Sequence, residues 1–70
     1  MTTIPNRRTI PADAMPADHL AEGQCMVHWH YKALYYAGQG QWLIQYYNCG
    51  VHYPSWEAAR DKYNQLEAIR

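Results

Sequence analysis

Apolar and polar positions alternate through the middle of the chain and then change period. In the run 25–36, Cys25, Val27, Trp29, Tyr31, Ala33 and Tyr35 hold the odd positions, and His28, His30 and Lys32 are among the even ones. A period of two predicts a half-buried strand. Residues 37–40 carry two glycines, Gly38 and Gly40, and glycine takes the positive φ that a tight reversal needs. A second alternating run spans 41–47. A four-residue loop pairs Tyr36 with Gln41, setting Tyr35 opposite Trp42, Ala33 opposite Ile44 and Tyr31 opposite Tyr46. In that register the apolar sets share one face, and a slip of one residue would part them.

Asn48, Cys49 and Gly50 read as a second turn, with a two-residue reversal at Cys49-Gly50 leading into a short strand over 51–53 that Pro54 ends. Ser55 is then placed to cap a helix, with Glu57 in its first turn, where the helix dipole favours an anion. From there the apolar period is helical: Trp56, Ala59, Tyr63, Leu66 and Ile69 fall on one side, and Arg60, Asp61, Asn64 and Glu67 mostly avoid it. The helix should cover the apolar sheet face, because neither surface is stable alone in water.

Residues 1–24 show neither period. Pro5, Pro11 and Pro16 recur, and Ile4, Ile10, Met15 and Leu20 are widely spaced among polar residues. A proline lacks the amide that a helix or central strand would use. This stretch reads as an extended or disordered N-terminal arm, with one helical turn over 17–22 stopped by Gly23. The expected fold class is therefore α+β: a three-stranded antiparallel sheet (β-β-β-α) packed on one C-terminal helix. The arm is 1–24 and the ββ(β)α domain is 25–70.

Seventy residues allow one domain, and a chain of this size hides only ~60% of its unfolded surface. It needs extra support, and three Trp and seven Tyr with no Phe supply an aromatic core. Six basic and six acidic side chains cancel, so the broad positive footprint of a nucleic-acid binder is missing. No apolar run approaches the ~20 residues that span a bilayer, and no apolar segment follows the N-terminal arginines as a secretory signal would require. Cytoplasm is the expected compartment, with no membrane association. Cys25 and Cys49 are then read as free thiols.

Cys25-x-x-His28 and Cys49-x-x-His52 repeat a spacing that suits tetrahedral zinc. Strand alternation opposes it, since Cys25 and His28 point to opposite faces. The reading assigns no metal and no cofactor. The even, outward positions are the stronger candidate. In the expected register His28, His30, Tyr47 and His52 form one patch, extended by Lys32, Leu34, Leu43 and Gln45. It is aromatic, amide-rich and low in charge, the composition of an interface core. Catalysis is poorly served. Ser55, the only serine, is used as a cap, the carboxylates lie away from the sheet, and no glycine-rich phosphate loop is present. The chain is read as not an enzyme.

Gly40-x-Trp42, Gly50-x-x-Tyr53, Ser55-x-Glu57-Ala58-Ala59 and Tyr63 together resemble the last two strands and helix of two families. These are the plant ethylene-response-type DNA-binding domains and the arm-binding domains of phage integrases. The resemblance implies a three-stranded sheet whose exposed face enters the DNA major groove, with the helix behind it. Those families read DNA with several Arg and Lys on the sheet, where this chain has Lys32 alone; Arg7 and Arg8 in the arm would add minor-groove contacts. Two readings follow. The first is a small protein-binding module, of the phage- or plasmid-type accessory or inhibitory kind, that docks on a larger protein or its own copy through the His/Tyr/Gln face. The alternative is a DNA-binding domain using that face with Arg7, Arg8 and Lys32. A homodimer through the open sheet edge is the further expectation on partners.

Overall fold

In the computed structural model, which describes residues 5–16 and 19–68, the run 25–36 forms two strands rather than one. Strand β1 spans Cys25–Trp29 and β2 spans Lys32–Gly38, with His30 and Tyr31 as the turn between them. Strands β3 (Gln41–Tyr46) and β4 (Cys49–Tyr53) follow, and then helix α1 (Trp56–Gln65). The sheet is a four-stranded antiparallel meander in the order β1-β2-β3-β4, not the three strands expected. Of the helical turn expected over 17–22, residues 17 and 18 lie outside the described residues and 19–22 are not helical.

The extra turn reverses the phase of the pattern. Trp29 pairs with Lys32 across it, so an odd position meets an even one. The odd residues face the core in β1, and the even residues face it in β2. The β2–β3 turn has only two residues, Gln39 and Gly40, both at positive φ (55° and 75°). A bulge at Ala37 then moves the pairing to Tyr36–Trp42, Leu34–Ile44 and Lys32–Tyr46. This differs by one residue from the expected Tyr36–Gln41 ladder, and it sends Lys32 and Leu34 inward.

The core forms between this sheet face and α1. Val27, Leu34, Trp42 and Ile44 from the sheet meet Ala59 and Tyr63 from the helix and Ile10 from the N-terminal segment. Trp42 packs edge-on against Tyr36 and Trp56, with ring centroids 5.0 Å apart in both pairs. Ser55 caps α1 as expected, its side chain accepting from the Ala58 amide at 3.2 Å. The helix ends at Gln65 because Leu66 turns to an extended conformation, four residues before the expected end at Ile69, itself outside the described residues.

Lys32 explains both that ending and its own burial. Only 3% exposed, it donates through Nζ to the Tyr63 carbonyl (2.6 Å) and the Leu66 carbonyl (3.1 Å), and sits 4.1 Å from the centre of the Tyr63 ring. A cation at the negative end of the helix dipole, bonded to carbonyls that lack helical partners, is favourable even when buried. Tyr31 also donates to the Leu66 carbonyl, and Tyr46 to that of Glu67. Three side chains from the sheet thus seat the C-terminal end of α1.

Residues 5–16 cross the domain as a strap. Asn6 bridges His28 in parallel, with the Arg7 amide donating to the His28 carbonyl (3.0 Å) and the His28 amide to the Pro5 carbonyl (3.1 Å). Asn64 pairs with both backbone groups of Ile10 (2.7 and 2.9 Å). Arg60 donates to the Ala12 carbonyl and Trp56 to the Ala14 carbonyl, both at 2.9 Å. The strap therefore closes the β1 edge and fills part of the core with Ile10. Among the described residues, β4 keeps the open edge.

Tyr63 adds a pH dependence. Fully buried, it donates its hydroxyl to the Arg7 carbonyl at 2.5 Å, and burial pushes its pKa far above the ordinary tyrosine value. The unfolded chain releases this proton near pH ~10 and the folded chain does not. This contribution to stability is complete below pH ~10 and is lost as pH rises above it. Lys32, whose pKa burial lowers, acts in the opposite sense. Urea unfolding from pH 8 upward should show a steepening loss in the native chain and a shallower one in Tyr63→Phe. Equal slopes would contradict this role for Tyr63.

Candidate functional site

The sheet face turned away from α1 is built from the residues that alternate with the core set. One row across the strands is His28, Ala33, Gln45 and Gly50, and the next is Cys25, Tyr35, Leu43 and His52. Two shallow grooves cross this outer face. The first, about 270 Å³, is lined by Trp29, His30, Tyr31, Ala33, Gln45 and Tyr47, with Lys32 beneath. The second, about 350 Å³, is lined by Tyr35, Leu43, Gln45 and His52 together with Glu22 and Gly23. Gln45, exposed, belongs to both and joins them.

The first groove lies where two turns meet. The Tyr47 amide donates to the Tyr31 carbonyl at 3.0 Å, which holds the β1–β2 and β3–β4 turns side by side. The rings follow: Tyr31 and Tyr47 stack at 5.8 Å and 17°, Tyr46 meets Tyr47 edge-on at 4.7 Å, and Trp29 meets His30 edge-on at 4.7 Å. Tyr47 has φ 53° and is 43% exposed. The left-handed region is uncommon for any residue but glycine. A large aromatic ring held there, on the rim of a groove, points to a use for the ring itself.

Several expected site residues stay on this face. His30, Gln45 and Tyr47 come together in the first groove, His28 flanks Ala33, and Leu43 and His52 line the second. Lys32 and Leu34 do not, because both are buried in the core, with Leu34 fully enclosed. His52 pairs with Leu43 rather than lying beside Tyr47, since the last turn is Tyr47-Asn48 and not Cys49-Gly50. Trp29 and Tyr31 join the site unforeseen. The missing signal was the turn at His30-Tyr31, which has no glycine, proline or asparagine to announce it.

The zinc quartet is dispersed. Cys25 and His52 lie at opposite ends of one outer row, three strand spacings or ~14 Å apart. Cys49 pairs with Tyr46 in a core-face row, and His28 lies on the outer face. Among the described residues no three His, Cys, Asp or Glu side chains meet as metal ligands. Burial raises the Cys25 thiol pKa, partly offset by its contact with the Val27 carbonyl, so it is less ionised than a free thiol.

The cations expected to meet DNA lie elsewhere too. Lys32 is inside, Arg8 sits 3.8 Å from Glu67 beyond α1, and Arg7 lines a cavity on the helix side of the sheet. Comparison with protein-family profiles, with curated proteins and with solved structures finds no match. Among the described residues, no helix is long and apolar enough to cross a membrane.

Proposed function

We propose that this chain is a non-enzymatic binding module that docks on a larger protein through the outer sheet face, anchored at its aromatic end. The observation that carries this reading is the joined pair of grooves. They offer Trp29, Tyr31, Tyr47, His30 and Gln45 on one continuous surface whose cation, Lys32, is buried beneath it. Rigid aromatic rings with amide and imidazole groups are the usual anchors of protein interfaces. Nucleic acid would require exposed cations where the phosphates run. The phage- or plasmid-type accessory role belongs to this proposal as the setting in which such a module works.

The test uses the tagged domain to capture partners from lysate, with and without nuclease, beside a His30→Ala/Tyr47→Gly variant. Tyr47→Gly relieves a left-handed φ worth about 1 kcal/mol and loses ring contacts worth about 0.5–1.5 kcal/mol each. Stability should therefore stay within about 1 kcal/mol of native. A partner that resists nuclease, rebinds the purified domain and is lost in the variant is expected. Nuclease-sensitive capture, or equal capture by the variant, would contradict the proposal.

A further inference from the structure

We infer a second binding site, for an amphipathic monocarboxylate with a medium-length acyl chain, in the cavity under the N-terminal strap. The cavity holds about 510 Å³, within the range of small-molecule sites. Its floor is the core itself, Ile10 and Val27, and its walls are Pro5, Pro11, Ala14, Met15, Met26 and Trp56. Arg7 is the one charged residue among the lining.

Three features separate this space from an ordinary surface dent. The strap above it is pinned along its length: at β1 by residues 5–7, at Asn64 by Ile10, at Arg60 by Ala12 and at Trp56 by Ala14. The cavity is therefore formed before any ligand arrives, which lowers the ordering cost of binding. Its apolar wall reaches solvent, with Met15 77% exposed, and methionine adapts to the shape of what it covers. Among the described residues the Arg7 side chain makes no ion pair or hydrogen bond, whereas Arg8 and Arg60 are each paired with a carboxylate. An apolar cavity with one uncommitted guanidinium complements a carboxylate on an apolar tail, because arginine binds carboxylates through two parallel hydrogen bonds.

Titration of the full chain with octanoate, decanoate and dodecanoate, followed by tryptophan fluorescence and calorimetry, tests this directly. Affinity should rise about fourfold for each methylene buried, and decanoate should bind about tenfold more tightly than decanol. Met15→Asp, at an exposed position, should abolish binding, and Arg7→Gln should erase the preference for the acid over the alcohol. No binding of decanoate up to millimolar concentration would overturn the inference. So would undiminished binding by Met15→Asp, or an unchanged acid-to-alcohol ratio in Arg7→Gln.

Discussion

Leu34→Ala is expected to cost about 2–5 kcal/mol, while Leu43→Ala costs less than about 1 kcal/mol. Both leucines belong to the central strands, and alternation in the run 25–36 would put both on the outer face. The observed register puts Leu34 opposite Ile44 inside the core with no exposed surface, and Leu43 on the outer face beside His52. A 70-residue domain holds roughly 4–10 kcal/mol in total, so Leu34→Ala removes a large share and lowers the melting temperature by about 10–30 °C. Urea unfolding of the two variants decides the register. Equal, small losses would mean that the ladder is displaced by one residue.

The second large effect is expected at Lys32. Lys32→Ala should lose about 2–4 kcal/mol, and Lys32→Met, which keeps an apolar stem, about 1–2 kcal/mol. Two terms oppose each other. Burial disfavours the ammonium, which lowers its pKa. Against that, the ammonium satisfies two carbonyls at the C-terminal end of α1 and faces the Tyr63 ring. Removing it strands part of that bonding in a buried place, which costs more than the desolvation it relieves. The loss is moderated because the Leu66 carbonyl keeps Tyr31 and the Tyr63 carbonyl keeps the Leu66 amide. Calorimetric melting measures both variants. A methionine variant as stable as the native chain would show that the ammonium contributes no net stability there.

Residue 32 also shows where the sequence misleads. Lysine is almost never fully buried without partners, so its presence at an even position marks that set as outward, and Tyr31, Ala33 and Tyr35 then look like the core set. Its partners are carbonyls at 63 and 66, which alternation within one strand cannot reveal. The turn at His30-Tyr31 was hidden by strand-forming residues, and the bulge at Ala37 by a glycine pair that suits either loop length. Other parts were legible. Ser55 and Glu57 announced the start of the helix, and Ala59 and Tyr63 announced its buried side. The β3 positions Trp42 and Ile44 were assigned to the core face, where they lie. Of the outer face, His30, Gln45 and Tyr47 were recognised as one surface, but Trp29 and Tyr31 required the turn that brings them there.

The docking claim is tested most directly by titrating the isotope-labelled domain with the captured partner and following its backbone amide resonances. Shifts concentrated at His28, Tyr31, Leu43, Gln45, Tyr47 and His52, with Ala59, Asn64 and the strap unmoved, are the predicted result. Shifts concentrated on α1 or the strap, with Gln45 and Tyr47 unmoved, would contradict it.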